Sequence, residues 1–237
     1  MSLFRVQSRI AFTARTHGFR NERNKMKIQK TQLIAIALLA STQASAEVAT
    51  IEAGQTVALS GITHAEDPTL GGVVVADYSQ DFVVGDVAGD PLIGTLHSRV
   101  SERFDTGELD FSWRISGIES ELERISSVVL SGYQGWELGV EWRIDSTGEA
   151  GPSHAMRSAD DDSIGYLFAG TPLNAARDSH SFFARTQALD FETIGTARIN
   201  LVSGYHITLS TFAPTIPTPG GLAMLGIGGL VTARRRR

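Results

Sequence analysis

The side chains best able to do chemistry in this 237-residue sequence are scattered rather than grouped. Between Glu47 and Ala213 five histidines stand singly: His64, His97, His154, His180 and His206. None lies within four residues of another, so the spacing that presents two imidazoles to one metal is missing. His206 falls at a polar position of a strand pattern and is expected in water. Serines are plentiful, yet no Gly-x-Ser-x-Gly turn offers one as a nucleophile. The chain has no cysteine, which excludes disulfides, thiol catalysis and thiolate-held zinc or iron–sulfur clusters. Asp160, Asp161 and Asp162 form the densest set of oxygen ligands. Consecutive aspartates on an extended chain point alternately, whereas calcium needs several oxygens at about 2.3–2.6 Å, so a solvated loop is expected. Asp81, Asp86 and Asp90, near Gly85 and Gly89, match no calcium-loop spacing. Glu137 and Glu141 on one strand would stand about 13 Å apart, beyond the ~5–9.5 Å between the two acids of a glycosidase. Trp113, Trp136 and Trp142 are the rings that could line a sugar platform. Each falls in register with Leu, Val or Ile, which places them in a core. No catalytic residue, cofactor or metal ligand is assigned.

The elements that must position these groups read as strands. Leu109, Phe111, Trp113 and Ile115 alternate with Asp110, Ser112, Arg114 and Ser116. Trp136, Leu138, Val140, Trp142 and Ile144 alternate with Glu137, Glu141, Arg143 and Asp145, and Tyr205, Ile207 and Leu209 with His206, Thr208 and Ser210. This period of two marks antiparallel strands with one face in a core and one in water. Further strands are expected over 56–62, 72–78, 82–86, 92–100, 124–130, 163–168, 181–186 and 196–201. Asp90-Pro91, Thr106-Gly107, Thr147-Gly148 and Gly151-Pro152 act as breakers. No apolar helical pattern persists for three turns. Residues 119–127 fit either a short helix or an exposed turn. About ten short strands point to a two-sheet antiparallel sandwich, jelly-roll-like.

Charge separates the ends from the middle. Residues 1–46 hold eight basic side chains and one acid, and the chain closes on Arg234, Arg235, Arg236 and Arg237. Residues 47–233 carry nine arginines and no lysine against 25 acids, a formal charge of −16. Such a body repels phosphate backbones, so nucleic acid is excluded as a partner.

Residues 26–46 have the three parts of a secretory signal: Lys27 and Lys30, an apolar run over 33–40, and Ala44-Ser45-Ala46. Signal peptidase is expected to cut between Ala46 and Glu47. Residues 1–25 precede the basic end by too far and read as a start-site extension, with translation starting at Met26. The other end runs Pro217, Thr218, Pro219, Gly220, an uncharged stretch to Ala233 and the four arginines. Fourteen residues make a helix of about 21 Å against a hydrocarbon core of about 30 Å. The terminal arginines would stay cytoplasmic, leaving the acidic body outside.

This proline motif, short apolar segment and arginine cluster resemble the PEP-CTERM sorting signal, with threonine where that motif has glutamate. The resemblance implies recognition by a membrane-embedded exosortase-like processing enzyme and transient insertion in the inner membrane. The body is similar to a group of PEP-CTERM exported proteins. The likeness rests on Gly94-Thr95-Leu96, on Gly107-Glu108-Leu109-Asp110-Phe111, on residues 138–145 and on 163–168. That group has no assigned activity; its association with exopolysaccharide producers implies surface or matrix material, with extracellular polysaccharide as a partner.

The expectation is therefore an all-β chain with an N-terminal signal helix and a short C-terminal apolar helix. Its parts are 1–25 (extension), 26–46 (signal peptide), 47–213 (sandwich) and 214–237 (hinge from Ala213, apolar segment, arginines). The expected role is a non-enzymatic protein of the cell envelope or extracellular matrix. A carbohydrate-binding or carbohydrate-cleaving sandwich is the alternative, favoured if an open groove carries exposed tryptophans and paired carboxylates.

Overall fold

The computed structural model describes residues 47–215, which contain twelve strands and no helix. They are β1 (Ala49–Ile51), β2 (Thr56–Ala58), β3 (Val73–Val87), β4 (Asp90–Glu102), β5 (Leu109–Glu119), β6 (Ile125–Ser131), β7 (Leu138–Trp142), β8 (His154–Arg157), β9 (Ser163–Leu167), β10 (Phe182–Arg185), β11 (Asp190–Leu201) and β12 (His206–Thr215). The signal and tail helices, the 1–25 extension, and the motif residues Ala44, Ala46, Pro217, Thr218, Pro219, Gly220 and Arg234 to Arg237 lie outside the described residues.

Two six-stranded antiparallel sheets form, in the orders β1-β7-β10-β5-β4-β3 and β12-β11-β6-β9-β8-β2. Hairpins join β3 to β4, β4 to β5, β8 to β9 and β11 to β12. Between β5 and β8, and again from β9 to β11, each connection crosses to the other sheet.

The alternation predicted for β5 holds on its core side: Leu109, Phe111, Trp113 and Ile115 are all buried. Their partners come from the opposite sheet and its loops, with Tyr133 edge-on to Phe111 and Trp113, and Tyr166 against Phe182. Trp113 brings a polar indole N–H into this apolar layer. It donates to Thr211 Oγ1 at 2.8 Å, and the Thr211 hydroxyl passes on to Ser98 at 3.0 Å. A buried donor is thereby satisfied across both sheets.

Among the described residues Arg157 is the one buried arginine, 4% exposed. It donates to the carbonyls of Ile51 at 3.1 Å and Trp136 at 2.6 Å and pairs with Asp161 at 2.7 Å. Three separate stretches of backbone are tied to one guanidinium.

Several expectations are corrected. The chain does not break between 78 and 82: β3 is one strand, because as the edge of its sheet it needs no apolar residue at every second place. β1 and β8 are too short to show a period. Residues 136–145 shrink to β7, with Trp136 and Trp142 half-buried and Ile144 43% exposed. The hinge expected from Ala213 begins as strand: Ala213, Pro214 and Thr215 pair with Glu192, Phe191 and Asp190. Asp90 and Pro91 open β4 instead of breaking the chain. Residues 120–124 form a turn, held by Asp90 Oδ2, which accepts from Ser120 Oγ and the Glu121 and Leu122 N–H groups.

Two acids expected in water, Glu141 and Asp110, are buried at 2% and 7% exposure. The reason is the same for both. Residues 59–72 fold back over the outer face of the first sheet, where Ile62 and Leu70 pack on Phe183 in a second, smaller apolar cluster. Glu141 Oε1 accepts from the Gly61 N–H at 3.0 Å and fastens this cover to β7. Gly61 has φ +79°, and a Cβ there would meet the Trp142 ring at 2.6 Å. The covering chain can cross Trp142 only as glycine.

Candidate functional site

The register of the first sheet sets its outer-face residues in cross-strand rows. One row runs Asp77, Arg99, Ser112, Phe183 and Glu141 across β3, β4, β5, β10 and β7. The next places Ser79, His97 and Arg114 side by side, and the row beyond holds Asp81, Thr95 and Ser116. On the other flank Ser101, Asp110 and Arg185 stand in line. Directly opposed side chains in such rows lie within about 5.5 Å at Cβ, so they interact.

Three cavities open on this face. The first, about 570 Å³, is lined by Arg103 and Arg185 and by five carboxylates: Glu47, Glu66, Asp67, Glu108 and Glu137. The second, about 440 Å³, is lined by Asp77, Arg99 and Arg114 with His97 and the hydroxyls of Ser79, Ser112, Thr147 and Ser181. The third, about 160 Å³, shares Arg99, Ser112 and Ser181 with the second and adds Arg143 and Asp110. Arg185 of the first cavity pairs with Asp110 of the third at 3.4 Å, so the three adjoin.

Five of the nine arginines in the acidic body thus line one face of one sheet. Each has a carboxylate partner. Arg185 meets Asp67 at 3.1 Å, Arg114 meets Asp178 at 3.3 Å, and Arg143 meets Asp145 at 3.1 Å. Arg99 pairs with Asp77, and Arg103 with Glu108. The pairing leaves donors over. Among the described residues nine buried side-chain polar atoms lack a hydrogen-bond partner, and five belong here; Arg103 Nε and Arg185 Nε face Asp110 Oδ1 at 3.8 and 3.4 Å, which leaves Arg114 Nε and Arg185 Nη2. A folded protein satisfies most such atoms, so two guanidinium groups on this face keep N–H groups to spare.

Burial pushes the Asp110 carboxyl up to about 6, and Arg185 and Arg103 offset only part of that. Burial also raises Glu141, against the N–H groups of Gly61, Trp142 and Ser60. His97 moves the other way: burial, then the charge of Arg114, holds it below its usual value, with Arg99 adding to the effect and Asp77 and Asp178 opposing it. Its ring nitrogens meet Ser79 Oγ at 2.8 Å and Ser116 Oγ at 2.7 Å.

The residues singled out from sequence are otherwise kept apart. Glu137 borders the first cavity, where Gln187 donates to it at 3.3 Å, while Glu141 is sealed beneath residues 60–61. They share no cavity. The three aspartates 160–162 serve different partners: Asp161 takes Arg157 and the Gly135 N–H, Asp162 the Gly132 N–H, and Asp160 the Asp162 N–H. Among the described residues no group of three or more His, Asp or Glu is gathered to hold a metal. Trp113 is core; Trp136 is half-buried against it, and Trp142, also half-buried, stacks on His180 at 4.9 Å. His64, His154 and His206 are exposed, and Glu47 is exposed at the rim of the first cavity.

Sequence reasoning missed the face itself. Arg99, Arg185 and His97 come from strands whose register the sequence does not display, and Arg103 from the turn that follows β4. The available signal was arginine at polar positions of several predicted strands in a body that otherwise avoids positive charge. No family model, curated protein or solved structure matches this chain.

Proposed function

We propose that this chain is an exported, non-enzymatic protein of the cell envelope or extracellular matrix that holds extracellular polysaccharide on the outer face of its first sheet. We read the architecture as jelly-roll-like. The observation that carries the reading is the gathering of five arginines across three adjoining cavities, two of which, Arg114 and Arg185, keep an unpartnered buried N–H group. A small apolar ligand would want apolar walls; here Val48, Leu138, Leu70, Val74 and Phe183 are interleaved with guanidinium, carboxylate and hydroxyl groups, which exchange hydrogen bonds with hydroxyl-rich rings. A run of adjoining cavities suits a polymer better than a single small molecule.

The two ends supply the address. Cleavage before Glu47 releases the body for export. The segment from Pro217 through Gly220 to Arg237 then parks the chain in the inner membrane until an exosortase-like enzyme removes it.

The test compares the full chain with one ending at Thr215 in the exporting cell. The full chain should be retained in the envelope, clipped near Gly220 and bound to the polysaccharide fraction; the shorter one should escape as free protein. Identical locations and unchanged C-terminal masses would defeat the sorting part. Failure of the exported chain to sediment with the polysaccharide would defeat the binding part.

A further inference from the structure

The three cavities differ in charge, and the difference says which part of a polymer each can take. The first sets five carboxylates against two arginines. The second sets one carboxylate, Asp77, against Arg99 and Arg114. Asp178 stands beside them, paired with Arg114 at 3.3 Å, so the second cavity is close to balanced where the first is acidic.

The geometry leaves those groups with capacity to spare. Arg99 directs both Nε and Nη2 at a single oxygen of Asp77, Oδ2, instead of spreading over both carboxylate oxygens. Arg114 touches Asp178 through Nη2 alone, and its buried Nε has no partner. Arg99 and Arg114 flank His97, one two residues along β4 and the other directly across on β5. Burial, then the charge of Arg114, holds the imidazole below its usual value. Ser79, Ser112, Thr147 and Ser181 ring the same space with hydroxyls.

Resting on the polysaccharide reading above, we infer that the cavity over β3, β4 and β5 is a subsite for a sugar ring bearing a carboxylate. The carboxylate sits between Arg99 and Arg114, where charge-assisted hydrogen bonds form, and the surrounding hydroxyls take the ring's own hydroxyls. The first cavity, acidic, repels a second carboxylate and takes a neutral ring. The favoured polymer is therefore one whose acidic rings are separated by neutral ones.

The probe is a hexasaccharide of alternating glucuronate and N-acetylglucosamine, compared by calorimetry with its methyl ester, which keeps every ring hydroxyl and loses the charge. The full chain should bind the acid about tenfold or more tightly than the ester. Arg99→Gln should bring the acid down to the ester's affinity; Arg99 is half exposed, so the variant keeps its fold. Arg198→Gln, the same charge change at an exposed position of β11 in the other sheet, should leave the preference intact. Equal binding of acid and ester, or a preference that survives Arg99→Gln or falls equally with Arg198→Gln, overturns the subsite. If neither sugar binds while the extracellular polysaccharide does, only the carboxylate subsite falls; if the polysaccharide fails as well, both readings fall.

Discussion

Asp110 shows how a single side chain can pass from a plain sequence position to an energetic one. Its place in the alternation predicted water; the cover of residues 59–72 and the guanidinium groups of Arg103 and Arg185 bury it. With its carboxyl pushed up to about 6 from 3.8, the folded state holds this proton more tightly than the unfolded chain. Stability from this group is therefore fully present below about pH 4 and is lost as pH rises through about 6. A rise of that size corresponds to about 3 kcal/mol. Asp110→Asn should remove that slope: the stability of wild type minus that of the variant should fall by about 3 kcal/mol between pH 4 and pH 7. Urea unfolding at the two pH values reads it, and a constant difference would mean that Asp110 titrates normally. The neighbours Trp113 and Arg114 give a second contrast. Trp113→Ala should cost about 3–5 kcal/mol. Arg114→Ala gives up one partly exposed ion pair and should cost within about 1 kcal/mol.

Among the elements, legibility followed length and solvent contrast. β4, β5 and β6 bury alternate residues over most of their length, and their period of two is plain. β1 and β8, at three and four residues, are shorter than the pattern needs. β3 resembles two strands in the sequence because Ser79, Gln80 and Asp81 interrupt its apolar run. A strand on the sheet edge tolerates them, since Tyr78 and Val83 on the same strand are also exposed. The covering segment was illegible because its anchors, Glu141 to Gly61 and Arg185 to Asp67, join residues 80 and 118 positions apart. Its crossing over Trp142 is open to test. Gly61→Ala meets both a positive φ and the indole ring, whereas Gly54→Ala, also at positive φ, meets no atom within 4 Å. Gly54→Ala should cost about 1 kcal/mol. Gly61→Ala should cost at least about twice as much, lowering the melting temperature by roughly 4–8 °C for a domain of this size. Equal losses would show that the cover lifts off Trp142 without penalty.

At the scale of the described residues, five of the acidic body's nine arginines gather on one face, among the seven carboxylates that line the same cavities. The fold class was legible because periodicity survives averaging over a strand. The site was not, because it exists only in the register between strands: Asp77, Arg99 and Ser112 are neighbours through two hairpins, and Asp178 reaches Arg114 from 64 residues away. The same assembly keeps Glu137, at a cavity rim, apart from Glu141, sealed under the cover. The central claim is that the outer face of the first sheet holds extracellular polysaccharide. Hydrogen–deuterium exchange of the full chain with and without that polysaccharide tests it most directly. Protection should appear in β3, β4, β5, β10 and residues 61–72, and β6, β9 and β11 of the other sheet should be unchanged. Protection confined to the second sheet, or none at a polysaccharide concentration that sediments the protein, would contradict the account.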